Sequence, residues 1–319
     1  MVDNWTTTTL TASSFKNAWN RLEEQKTISI IQGLLDGNIE PETAAHDIAS
    51  TYHPRLLKGE KISYYPFTLL SLAIIHPTTT FKNFEDIVQI LMHISKLPDV
   101  IVDGEPFKEN YRTYWHDIPE FSFQFSQTAL TVNSIEDIDL GHCTVTWHEQ
   151  AQQYLSASTF ASLYLRALSP VEFKSMQTEA LLSLSNALEV STNSFPQVRR
   201  AGIYIPAASA YLIHSTPLIW SFCQTKEKYQ GDKISKEWVG GSDGNELLWT
   251  GDDGFSVQRW GVWKERLGDL AGLERRGFAG RVVDGIVMHA RMARRAMDEV
   301  ELEYGVALEG VSGLYQHGD

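Results

Sequence analysis

Apolar residues recur at steps of three and four along much of this chain, the period of helices that bury one face. Phe15, Trp19, Leu22, Ile28, Ile31, Leu34 and Leu35 form the first stripe, with Gly37 placed to stop it. A second helix is predicted from Pro41, because proline suits the first helical turn and early glutamates favour its positive end. Ala44, Ala45, Ile48 and Ala49 line one side of it, and the short connection predicts an antiparallel pair. Tyr64 to Ile75 is apolar nearly all round and closed by Pro77, which fits a buried helix or, alternatively, a buried strand. Phe84, Ile87, Val88, Leu91 and Ile94 give the clearest amphipathic helix of the first half, ended by Pro98.

Phe121, Phe123 and Phe125 alternate as a strand would, but no turn and partner strand follow at hairpin distance. The expectation there is a helix opened by Pro119 and Glu120, with a loop over Asn133 to His142. Helical spacing returns from Trp147 to Leu168 and, after Ser169 and Pro170, from Phe173 to Leu188. Ile203 to Cys223 reads as two helical pieces broken near Pro217.

Gly231 to Gly254 carries six glycines and four aspartates, which predicts an exposed connection, either flexible or a lid. A final helical pair follows. Trp260, Trp263, Leu267 and Leu270 share a face of the first, and Ile286, Ala290, Ala293, Met297 and Val300 form the seam of the second. Arg291, Arg294 and Arg295 lie off that seam. The sum is an all-α fold, an irregular multi-helix bundle with an apolar pocket as its candidate binding place. The expected organisation is a flexible leader over 1–12, one domain over 13–303 and a tail over 304–319.

The apolar content, 43% of 319 residues, is too high for a charge-rich disordered chain. The formal net charge of -13 argues against a broad nucleic-acid surface, which draws on clustered Lys and Arg. Two cysteines do not make a disulfide framework, and the start lacks a basic segment followed by an apolar core. No apolar stretch approaches a membrane span. The expectation is a cytoplasmic protein of unassigned oligomeric state.

The stretch Phe255-Ser-Val-Gln-Arg-Trp-Gly-Val-Trp-Lys-Glu-Arg-Leu267 has the form Arg-Trp-x-x-Trp-Lys-x-Arg-Leu. It resembles a hallmark of a fungal family of helical proteins known only as a domain of unknown function. A Leu-x-x-Gly-x-Ile stretch ending at Ile39, the Glu-rich helix start with paired alanines, and Met292 or Met297 on a late helix are similar too. The resemblance implies an all-helical intracellular fungal protein. It lends slight support to small-molecule chemistry, since some members of that family sit in secondary-metabolite gene neighbourhoods. It carries over no catalytic residue.

Motifs for metals and cofactors are missing: no His-Glu-x-x-His, no Cys-x-x-Cys, no phosphate-binding glycine loop, no nucleophile elbow. Neither a metal nor a cofactor is therefore expected. Were a metal held, His142, Cys143 and His148 would be the first suspects. Cys143 beside His142, or Cys223 with His214, would make a nucleophilic dyad only if folding joined them. The candidate site with the richest chemistry is Tyr111-Arg-Thr-Tyr-Trp-His-Asp117. Its members Tyr111, Arg112, Tyr114, His116 and Asp117 combine flat aromatic faces with a base, an acid and a guanidinium, the inventory of an apolar pocket with a few polar groups. Aromatic filler between helices is the plainer explanation.

Trp260 and Trp263 are expected to be structural, packed against the last helix. Arg259 and Arg266, seven apart, share another face; a surface salt bridge is the default, and a buried carboxylate or an anionic ligand the alternative. The functional expectation is a small-molecule-binding helical protein of fungal secondary metabolism. If it is an enzyme, cofactor-independent cyclase, pericyclase, isomerase or dehydratase chemistry on an apolar substrate fits. The alternative is a non-catalytic interaction or scaffold protein.

Overall fold

The structure is a computed structural model and describes residues 22–62, 64–109, 111–118, 121–130, 145–167, 173–226, 248–278 and 280–304. Phe15, Trp19, Asn133 to His142, Cys143 and the tail after Tyr304 lie outside the described residues, as does 231–247. What is described is a largely helical, irregular multi-helix bundle. The described residues form two compact units: one runs to Leu130 and adds 145–167 and 173–177, and the other starts at Thr178.

The first unit opens with α1 (Leu22–Leu35), α2 (Pro41–Leu56), α3 (Tyr64–Ile74) and α4 (Phe81–Ile94). The apolar stripes do the work the sequence assigns them. Ile28, Ile31 and Leu34 are buried, and Ala44, Ala45 and Ile48 let α2 approach both α1 and α4. Pro41 occupies the first turn of α2. Thr80 caps α4 and exchanges bonds with Asn83, whose side-chain oxygen accepts the Thr80 N–H at 2.9 Å. Then come four short strands, β1 (Ile101–Val102), β2 (Glu105–Pro106), β3 (Lys108–Glu109) and β4 (Arg112–Thr113), paired as two tandem antiparallel hairpins. They are the strands among the described residues, and apolar period alone does not predict them.

Two short helices follow, α5 (Tyr114–Asp117) and α6 (Phe121–Phe125), the second running into a π-helical turn over Ser126–Leu130. The phenylalanine alternation at 121–125 is thus helical. Phe121 and Phe125 are buried while Phe123 is exposed, because a five-residue helix turns its middle residue outward. Phe121 meets Phe67 of α3 edge-on at 5.7 Å, and with α7 (Val145–Ala167) it meets Tyr164 at 5.2 Å. Phe160 and Tyr164 of α7 stack at 5.8 Å. These rings form the centre of the unit.

The second unit holds most of α8 (Phe173–Leu188), then α9 (Phe195–His214), α10 (Thr216–Thr225), α11 (Val257–Leu270), a 3-10 turn (Leu273–Arg276) and α12 (Arg281–Glu303). The break expected near Pro217 falls at Ser215, with Pro217 in the first turn of α10. The piece before it starts eight residues earlier than its apolar run, at Phe195, and passes Pro206 without ending. The signal for that start is local: Gln197 Oε1 accepts the Ser194 N–H at 2.9 Å, a capping-box bond. α9 packs along α12, and α12 along α11. Ile286, Ala290, Ala293, Met297 and Val300 are all buried, so the seam read from the sequence is the packed face. No described helix is long and apolar enough to cross a membrane.

Candidate functional site

The tandem hairpins build the first candidate site. Asp103 and Gly104 turn β1 into β2 with positive φ at both positions, 52° and 86°. That is the Asp-Gly turn favoured in two-residue hairpins. The Phe107 N–H then donates to Val100 O at 2.7 Å, and the Tyr114 N–H to Phe107 O at 3.1 Å, so Phe107 links the two hairpins, which remain separate two-stranded sheets. Asp117 fastens its end: Oδ2 accepts the Thr113 N–H at 2.7 Å. Ile118 ends α5 in a left-handed conformation, φ 40°, and is buried there.

This frame divides the predicted residues into two sets. Tyr114 and Trp115 point into the unit, their rings 4.6 Å apart and edge-on. Tyr111, Arg112 and His116 stand in solvent, with Asp117 half-buried beside them. His116 Nδ1 lies 3.0 Å from Asp117 Oδ1. The contact with Asp117 raises the histidine above its ordinary value, through the hydrogen bond first and the charge second. Neighbours in sequence thus do pair here, which helical geometry alone argues against.

Tyr111 is the unusual member. It is 99% exposed, and its φ of 67° is left-handed. A bulky L-residue adopts that conformation at a cost of about 1–2 kcal/mol. Ile118 offsets the same cost by burial; Tyr111 buries nothing.

The second cluster is built on the tryptophan motif, and it corrects the expectation for the arginines. Arg259 is buried and bidentate: Nε donates to Glu189 Oε1 at 2.6 Å and Nη2 to Oε2 at 2.8 Å. Nη2 also reaches Ser185 Oγ, and Nη1 donates to Gly254 O, both at 2.8 Å. Trp263 gives its indole N–H to the same Glu189 at 2.7 Å. Trp260 gives its own to Glu301 at 2.7 Å, where Lys264 Nζ also binds at 2.5 Å. Arg266, likewise buried rather than at the surface, donates to Val190 O and Thr192 Oγ1 at 2.9 and 2.8 Å. The motif ties α11 to the end of α8 and to α12. Both tryptophans are fully buried, as their shared face with Leu267 and Leu270 implied.

The same cluster pins the described end of the glycine-rich connection. The Leu248 N–H donates to Glu189 O at 2.9 Å, and the Trp249 ring lies under Arg259, 5.6 Å from it. Gly254, at φ 92°, turns the chain so that its carbonyl meets Arg259.

Cys223 is buried next to this cluster, and burial pushes its thiol up to about 12, with the Ser256 backbone and Arg259 opposing. It is held as thiol, a poor nucleophile. Among the described residues no three of His, Cys, Asp and Glu gather as metal ligands. Glu189 and Glu301 carry no motif of their own in the sequence; only the partner positions on α11 do. The hairpins did have a signal, Asp103-Gly104 between Val102 and Glu105.

A family model described as a protein of unknown function, DUF3632, matches residues 68–267, more than half of the chain. The chain belongs to the DUF3632 family. The DUF3632 match covers the hairpins and the motif as far as Leu267. No curated protein and no solved structure matches the chain.

Proposed function

We propose that this DUF3632 protein is a non-catalytic interaction protein, and that the tandem hairpins and the short helix after them, from Ile101 to Asp117, present its recognition element. The observation that carries this reading is Tyr111, an aromatic side chain that pays backbone strain and returns no burial. A side chain 99% exposed lines no enclosed pocket, whereas tyrosine in the open supplies contact area at low entropic cost to a partner surface. Arg112 and His116 beside it add donors for an acidic or polar rim. The net charge of -13 disfavours nucleic acid as that partner.

The test begins with Tyr111→Gly. Relief of the left-handed conformation offsets the greater freedom of glycine when unfolded, so stability should stay within about 1 kcal/mol of wild type. Partner proteins that co-purify with wild type should be lost. A larger fall in stability would make Tyr111 a structural residue and remove the argument.

A second reading keeps the origin and pathway that the Arg-Trp-x-x-Trp-Lys-x-Arg-Leu resemblance implies: a fungal, cytoplasmic protein of secondary metabolism acting on an apolar small molecule. The His116–Asp117 pair favours it, since a carboxylate that orients a histidine suits proton transfer in an isomerase, dehydratase or cyclase. Loss of a ligand-dependent activity in His116→Gln, with folding intact, would support this reading over the first.

A further inference from the structure

The two motif arginines are seven residues apart and buried in different electrostatic company. Arg259 is neutralised by the buried Glu189. Arg266 is as deeply placed, 7% exposed, yet both of its hydrogen-bond acceptors are neutral oxygens. Its Nε has no partner among the described residues. The nearest described carboxylate is Asp269, 4.0 Å from Nη1 and itself 61% exposed, a distance beyond a hydrogen bond. A second guanidinium stands at the same corner. Arg276 Nη2 donates to Asn193 Oδ1 at 3.0 Å, one residue on from the Thr192 that Arg266 holds. Burial lowers Arg266 from its ordinary value; Asp269 opposes this, and Arg276 lowers it further, so the two cations repel. Glu274, the acid of the 3-10 turn, lies towards Arg291 at 3.8 Å.

A buried guanidinium whose acceptors are all neutral, beside a like charge and a single exposed carboxylate 4.0 Å away, keeps its charge poorly compensated, and such a corner favours an anion. The geometry points to a binding site for a phosphate group between Arg266 and Arg276, at the corner formed by Val190–Asn193 and the end of α11. Guanidinium groups present paired N–H donors that match the oxygens of a phosphate. A doubly charged anion would also remove the repulsion between the arginines. The Thr192 hydroxyl and the Asn193 amide are the neutral groups at hand. This site is in the second unit and does not depend on the role of Tyr111.

The test is thermal unfolding and calorimetric titration of the full chain with inorganic phosphate, against chloride at matched ionic strength. Wild type should show a saturable rise in Tm with phosphate that chloride does not reproduce. Arg276→Ala changes an exposed residue and should fold as wild type by circular dichroism. It should weaken phosphate binding by roughly tenfold or more, the worth of a charged hydrogen bond. Asp269→Asn removes the competing carboxylate and should tighten binding several-fold. Titration with glycerol phosphate separates the sources: tighter binding than inorganic phosphate marks a phosphomonoester, and equal or weaker binding marks the free anion. A Tm rise matched by chloride, or phosphate affinity unchanged in Arg276→Ala, would overturn the proposal.

Discussion

Glu189→Gln is the sharpest perturbation of the second unit. The Glu189 carboxylate takes three short bonds at 2.6 to 2.8 Å, two from Arg259 and one from Trp263. An amide has the same shape but no charge, and it turns an NH2 towards one of those donors. Arg259, 4% exposed, is then left as a buried cation facing neutral groups. Removing one partner of a buried ion pair costs about 3–5 kcal/mol, equivalent to a fall in Tm of roughly 6–20 °C for a unit of this size. Replacing both partners, Glu189→Leu with Arg259→Leu, leaves no uncompensated charge. What remains orphaned is the Trp263 N–H, the Gly254 carbonyl and the Ser185 hydroxyl, so the double variant should lose only about 1–3 kcal/mol. The assay is scanning calorimetry of the wild type, both single variants and the double variant, as a cycle. If Glu189→Gln costs under 1 kcal/mol, or if the double variant costs as much as the two leucine singles together, the buried pair does not hold this unit.

Trp263→Ala removes a fully buried ring and should cost about 3–5 kcal/mol by thermal or urea unfolding; unchanged stability would detach the motif from its structural role. Cys223 should resist alkylation in the native protein at pH 8 and react once unfolded, read by mass mapping of that peptide. Burial keeps both Cys223 and Tyr52 protonated, Cys223 up to about 12 against an ordinary 9.0. The unfolded thiol ionises first, so the folded state should lose stability as pH rises from about 9, visible as a falling urea midpoint. Burial lowers His289, so its contribution runs the other way: it is present above the ordinary 6.5 and lost as pH falls. His116 should titrate above the ordinary histidine value by NMR and return towards it in Asp117→Asn.

Where a residue's role is set by its own helix, the sequence is readable. The stripes at Ile28–Leu34, Phe84–Ile94 and Ile286–Val300 depend only on period, and each is a packed face. Arg259 and Arg266 show the limit. Period correctly sets them on one face, but whether a carboxylate meets that face depends on Glu189, 70 residues earlier in sequence from Arg259. Nothing local in Leu-Glu-Val distinguishes that glutamate from a solvated one. The Tyr111–Asp117 stretch is a mixed case. Its chemical inventory is visible, yet its division into a buried Tyr114 and Trp115 and an exposed Tyr111, Arg112 and His116 follows from two turns. The Asp103-Gly104 turn is written in the sequence; the left-handed tyrosine is not, because no residue preference announces it.

Photo-crosslinking from position 111 tests the interaction reading most directly. Benzoylphenylalanine placed at 111 in the full chain, with Leu57 just after α2 as an exposed apolar control, would be irradiated in extract of the source cells. The expected result is a discrete protein adduct from position 111, absent from position 57 and competed by unlabelled wild type but not by Tyr111→Gly. No adduct at 111, or the same pattern from both positions, would contradict the proposal that this hairpin is a recognition element.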